Sequence, residues 1–309
     1  MPRLIDDIRA AKELQMPWYI VKQREWTAHT GRVLNVLKDP QLPVLLIDNV
    51  ADYYFKATDQ EVWSLDRDFP NLAPPFPGFW CEHRLPKLIH SKEHGDTQTG
   101  MEGGRAGIFV RVADQADCKY EGPAPDGLKW ILWFEVFIDY GCWRSSGLVD
   151  GPCSPMFLCV DADGRGLGAP WMQSYAAEDD FSRTVMRSMM TWLHPTFLAI
   201  SFLHCKNVSL NDNQVDAPLA KKFRARHGFN PTPYKTLVIE PLKEILRREG
   251  GHGSGNGLAK AMHICRGHFR DYREGRGLFG KYHGQFYMPA TVRGTKGKSA
   301  PPREIEVRV

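Results

Sequence analysis

Residues Leu128–Asp139 read LKWILWFEVFID. Leu128, Trp130, Leu132, Phe134, Val136 and Ile138 alternate with Ile131, Trp133, Glu135 and Phe137. An extended segment with this pattern is apolar on both faces, because successive side chains point to opposite sides of a strand. Such a strand belongs inside a sheet covered on both sides, not at a solvated edge. That reading sets the fold class, and the neighbouring segments extend it. Ala106–Val112 and Pro155–Val160 read as further strands. The turn DADGRG (161–166) leads to a fourth near Trp171, as a hairpin. Asp161 and Asp163 hint at a calcium loop, but the remaining ligand pattern is missing.

Upstream, Leu4, Ile5, Ile8, Ala11 and Leu14 recur at helical spacing. PVLLI (43–47) is a short buried-strand candidate, and a helix is expected across NVADYYFKA. FPNLAPPFPGFW (69–80) carries four prolines, which force an extended path. Its rings should pin it to the surface of the fold. A peptide ligand for an aromatic groove is the other use of such a segment. Downstream, AEDDFSRTVMRSMMTWLHPTFLAISFLHCKNV reads as helical, with Val185, Met189, Trp192 and Leu193 on one stripe. Pro195 should split it into two helices. His194 and His204 read as satisfied core histidines. LAKKFRARHG (219–228) is basic, TLVIE is a strand candidate, LKEILRREGG a short helix and GGHGSGNG a loop without the Gly-Lys-Ser/Thr phosphate signature. The fold class expected is α+β: an antiparallel central sheet flanked by helices, with a basic β-rich C-terminal part. Residues 1–220 form an acidic core and 221–309 the basic part, with one continuous domain as the alternative.

The chain has 309 residues, 42% hydrophobic and 25% charged, which are ordinary globular values. The N-terminus MPRLIDDIRAAKEL has no apolar secretory core. No apolar run reaches the roughly 18 residues of a membrane span. Seven cysteines with no CxxC pair fit reduced thiols in the cytoplasm better than a disulfide framework. Charge is unevenly spread. Residues 221–309 hold 19 Lys+Arg against 7 Asp+Glu, and residues 1–220 hold 21 against 29. The first part therefore sits near −8 and the last near +12. Two readings stay open: the basic part faces an anion, of which nucleic acid is the commonest large one, or it docks on the acidic part.

The segment HICRGHFRDYREGRGLFGKYHGQFYMPATVRG gathers the candidate chemistry. As a strand, 263–269 places Arg266 and His268 on one face, with His263 and Cys265 on the other. QFYMPATVR supplies an antiparallel partner. One surface would then collect Arg266, His268, Lys281, His283 and Arg293, able to grip phosphate through charge-assisted hydrogen bonds. Arg270 and Arg273 add charge. Tyr272, Phe286 or Tyr287 could stack bases. The same set could cleave RNA without a metal: His268 or His283 would act as acid or base, and Arg266 or Lys281 would stabilise developing charge. Lys221, Lys222, Arg224 and Arg226 are the second nucleic-acid-binding group. Two loose sets carry zinc-ligand types: His263, Cys265 and His268 with His252 or His283, and Cys81, His83, His90 and His94. Neither has a standard zinc spacing, so no metal and no cofactor is expected.

His263-x-x-Arg266-Gly267-His268, the LFGK turn, the aromatics after it and the closing Arg293-Gly294 resemble a C-terminal pattern of uncharacterised bacteriophage and mobile-element proteins. The PPFP core of residues 69–80 is a second part of the likeness. The resemblance implies a phage or prophage setting, with a role in host–phage conflict or in phage nucleic-acid handling. It assigns no catalytic residue. The expected function is therefore nucleic-acid binding, RNA or DNA, through the basic C-terminal region, with metal-independent ribonuclease as its enzymatic form. The alternative is a non-enzymatic protein-binding inhibitor or assembly factor, using an aromatic surface around Trp80, Trp130 or Trp143. Whether the chain is an enzyme stays open.

Overall fold

The computed structural model describes residues 3–17, 20, 22–58, 65–85, 104–114, 124–139, 151–152, 155–168, 170–172, 180–239, 263–265, 267–278, 280–288 and 291–293. Among them runs one eight-stranded sheet. Its strands are β1 (Val44–Leu46), β2 (Gly78–Arg84), β3 (Arg105–Ala113), β4 (Leu128–Asp139), β5 (Met156–Asp161), β6 (Trp171–Met172), β7 (Val208–Asn213) and β8 (Tyr234–Ile239). The spatial order is β6-β5-β4-β3-β2-β1-β8-β7.

The fold is α+β with helices on both faces, but the sheet is mixed rather than antiparallel throughout. β2 to β6 form an antiparallel meander, whereas β1 is parallel to both β2 and β8. The cause is the connection: α3 (Asp48–Thr58) and α4 (Leu65–Asp68) intervene between β1 and β2, and such a crossover brings the chain back in the same direction. β8 lies between β1 and β7, so residues 234–239 belong to the main sheet.

Strand alternation sorts the core into two layers. On one face, Val44, Trp80, Phe109 and Phe137 meet α1 (Leu4–Ala10) and α2 (Gln23–Leu37) through Leu4, Ile5, Ile8, Val33, Leu34 and Leu37. On the other, Leu45, Phe79, Ile108, Val110, Leu132, Phe134 and Val136 meet α3 and α5 (Asp180–Leu203) through Val50, Tyr54, Leu193, Phe197 and Phe202. Each such side chain contributes about 1.5–3 kcal/mol of burial. β4 is interior and buried from Ile131 to Asp139, as its two apolar faces require. A register shift between Leu128 and Trp130 moves Leu128 to the Ile131–Trp133 side, so it does not share the face of Trp130 and Leu132 as strict alternation predicts.

Pro195 does not split its helix. α5 runs unbroken from Asp180 to Leu203 with the proline inside it. A helix-interior proline costs about 3 kcal/mol. Here Leu193, Phe197, Leu198 and Ile200 around it are all buried at 0–1% exposure, and their burial exceeds that cost. The proline-rich segment lies against the fold as expected: Phe69 and Leu72 are buried, Ser201 Oγ donates to the Asn71 carbonyl at 3.0 Å, and His204 Nε2 lies 2.8 Å from the Ala73 oxygen.

The C-terminal region pairs antiparallel, but not as one continuous ladder. β10 (His268–Asp271) pairs with β11 (Gln285–Met288), and β9 (His263–Cys265) with β12 (Thr291–Arg293). Among the described residues these are two separate two-stranded ladders. Phe269 and Tyr287, opposite each other, turn inward onto Phe202. The buried Asn207 amide clasps the Tyr287 peptide unit, donating to its oxygen at 2.7 Å and accepting from its nitrogen at 2.9 Å.

Candidate nucleic-acid interface

The basic stretch after residue 216 forms α6 (Ala217–His227). Pro218 suits the first turn, and Gly228, at φ +80°, ends the helix with its N–H on the Arg224 carbonyl. Arg224, Arg226 and His227 occupy the last turn, where the helix dipole favours cations. No residue of α6 is buried, and Leu219 is 55% exposed. Lys221, Lys222, Arg224 and Arg226 are all exposed. None of the four has a carboxylate partner among the described residues. A helix that buries nothing is held by its ends and by its aromatic seam: Phe223 lies tilted against His227 at 4.4 Å and meets Phe229 edge-on at 5.3 Å.

Phe229 continues into an open cleft of about 400 Å³ lined by Arg9, Lys38, Pro40, Asn230, Pro231, Thr232 and Pro233. The walls are fixed. Arg9 Nε donates to the Leu37 carbonyl at 2.7 Å and its terminal nitrogen to Thr232 Oγ1 at 2.6 Å. Asp6 accepts from both the Thr232 amide (2.9 Å) and its hydroxyl (2.7 Å).

The other expected residues are dispersed. On β10, Arg270 Nε donates to His268 Nε2 at 3.1 Å, so these two share a face and the imidazole is the acceptor. Arg273 is bound to Asp271 (2.6 Å), and its hydrogen bonds hold the Asp271 carboxyl below the usual carboxylate range. Tyr272 is half-buried beside Phe286. The Lys281 ammonium lies 5.2 Å from the centre of the Tyr282 ring, and His283 is exposed. His268 faces Met288 at one end of the hairpin, while Lys281 and His283 lie beyond Gln285 at the other. About 10 Å of strand separates them, at roughly 3.3 Å per residue. Arg266 lies outside the described residues. Arg293 is placed on β12 opposite His263.

Of the zinc-type sets, Cys81 and His83 share the α3/α5 face of β2 and are fully buried. His83 Nδ1 lies 2.9 Å from the Arg84 oxygen and Nε2 3.2 Å from the Trp192 oxygen, and a neutral ring donates to one of the two. His90, His94 and His252 lie outside the described residues, as do the loop GGHGSGNG and the expected helix LKEILRREGG. Among the described residues, no three His, Cys, Asp or Glu side chains are grouped to hold a metal. The Asp161 carboxylate is occupied by the amides of Asp163 and Arg165 in its own turn. The aromatic surface expected around Trp80 is not there: its indole is fully buried over Gly107 and against Phe137. Trp130 is half-buried on the α3/α5 layer, and Trp143 lies outside the described residues.

Sequence reasoning missed a buried polar network on the α1/α2 face. Glu82, wholly buried, accepts from the amides of Leu4 (2.9 Å) and Ile5 (3.1 Å), from Trp80 Nε1 (3.1 Å) and from Arg105 Nε. Arg105 also reaches Asp48 at 3.2 Å. Glu135 sits 2.7 Å from His29 Nε2 and accepts from Trp133 Nε1. The available signal was a carboxylate inside an otherwise apolar strand, which demands a partner. Glu82, with four donors, anchors the start of α1 to the sheet, and Glu135 ties α2 to it.

The core histidines make acid stability measurable. His194 bonds Tyr54 through Nδ1 at 2.6 Å, and burial pushes its imidazole down to about 4. Burial also lowers His83 and His204. An imidazole with a folded pKa below its unfolded value of 6.5 binds protons more readily in the unfolded chain. Its contribution is therefore complete above pH 6.5 and is lost as pH falls toward 4. Thermal melts from pH 7.5 to 4.5 should show wild type losing on the order of 2 kcal/mol more than His194→Gln. Parallel profiles would show that His194 does not carry this loss.

No helix among the described residues is long and apolar enough to cross a membrane. No family model matches the chain, and no curated protein and no solved structure matches it.

Proposed function

We propose that this chain is a cytoplasmic, phage-type protein that binds nucleic acid through α6 and the cleft beside it. The observation that carries the reading is a helix with four exposed cations, none ion-paired among the described residues and none needed by the core. Several basic side chains elsewhere are engaged by carboxylates: Arg105 by Glu82, Arg273 by Asp271 and Lys235 by Asp212. Cations held unpaired on one helix suit a polyanion, because each phosphate they neutralise releases a counterion. The described hairpin keeps His268 apart from His283 and Lys281, so the geometry favours binding over cleavage.

Affinity for RNA or DNA should fall steeply with salt. Replacing Lys221, Lys222, Arg224 and Arg226 with Ala should weaken binding at low salt by roughly a hundredfold or more and reduce the slope of log affinity against log salt by about three. The melting temperature should hardly change, since no residue of α6 is buried. Salt-independent binding, or none at low salt, rejects the reading in favour of a protein partner.

A further inference from the structure

We propose that the cleft beside α6 takes an unpaired nucleobase, so that the preferred ligand is a single strand; this rests on the nucleic-acid reading above. The cleft's roughly 400 Å³ is in the lower part of the range for small-ligand sites, about 300–1,000 Å³. Its lining supplies what a base needs. Phe229, Pro40, Pro231 and Pro233 offer flat apolar surface. The exposed Asn230 amide, with no partner among the described residues, offers both a donor and an acceptor to a base edge. Lys38 is exposed at the rim, also without an ion pair among the described residues, and is free to meet the phosphate of the same nucleotide.

Arg9 plays a different part. Its donors already serve the Leu37 and Asp39 carbonyls and Thr232, so it stiffens the wall instead of gripping the ligand. The cleft is continuous with α6, because Phe229 is also the end of the Phe223–His227 aromatic seam. A strand whose phosphates follow the α6 cations can therefore turn one base onto Phe229. Bases of a duplex remain stacked and paired, and extruding one costs a few kcal/mol. A single strand offers its bases without that cost, and base–aromatic stacking is tolerant of sequence.

The test uses the full chain and three labelled probes of equal length in fluorescence anisotropy. They are a mixed-sequence single strand, the same strand annealed to its complement, and a single strand of abasic sites with the same phosphates. Wild type should bind the single strand about tenfold or more tighter than the abasic strand. Phe229→Ala should remove most of that difference and leave the salt slope unchanged. Asn230→Ala, at an exposed position, should weaken only the probe that has accessible bases. Equal affinity of wild type for the base-bearing and abasic strands overturns the cleft assignment but leaves binding by α6 standing. Absence of salt-dependent binding to all three probes removes both.

Discussion

Arg105→Met should lower the free energy of unfolding by about 3–5 kcal/mol, the range for stripping one partner from a buried ion pair. Arg105 is 5% exposed and Glu82 is 0% exposed. Methionine matches the aliphatic stem, so packing is largely kept while the charge disappears. Glu82 must then stay ionised without its cation or take up a proton. In either case its hold on the Leu4 and Ile5 amides weakens, and α1 loosens at its first turn. Urea denaturation followed by tryptophan fluorescence reads the effect as a shift in midpoint. Arg84→Met is the control. Arg84 also meets Asp48, at 3.4 Å, but its side chain is 65% exposed, and an exposed pair is worth about 1 kcal/mol or less. If Arg105→Met costs no more than Arg84→Met, the buried network is not what fastens α1.

Gly107→Ala should cost about 3 kcal/mol, the upper end of ordinary overpacking. A Cβ at position 107 would stand 2.0 Å from Cζ2 and 2.5 Å from Cη2 of Trp80. The indole cannot retreat, because it is fully buried and Phe137 lies 5.4 Å away, ring centre to ring centre. The need for glycine here comes from close approach, not from backbone conformation. Trp80→Leu leaves a cavity and should also destabilise, by a few kcal/mol. Combined, the two changes should cost clearly less than their sum, since the smaller side chain vacates the space the methyl group needs. Strict additivity in the double-mutant cycle would mean that the Trp80 ring is not what excludes a side chain at 107.

Much of the fold was legible locally. The two-faced apolarity of Leu128–Asp139 implies an interior strand, and β4 is one. The PVLLI strand, the helix after it and the hairpin about DADGRG follow from short patterns, because side-chain period depends only on local geometry. The interface was half legible. The cations of α6 stand out in composition, yet Arg273 looked equally available and is bound to Asp271 two residues away. The cleft was not legible, since α1, the turn after α2 and the loop after α6 each supply part of its wall.

The sequence by itself determined that β1, β3, β4, β5 and β8 are strands, that α1, α3 and α5 are helices, and where positive charge accumulates. Only the tertiary structure decided which strands pair, that β1 runs parallel to both its neighbours, that α5 continues through Pro195, that Trp80 is core, and which cations remain unpaired. Periodicity specifies a face but not what covers it. Glu82 finds the amides of residues 4 and 5 across more than seventy positions of chain, and the burial around Pro195 that outweighs its lost hydrogen bond exists only once α5 lies on the sheet.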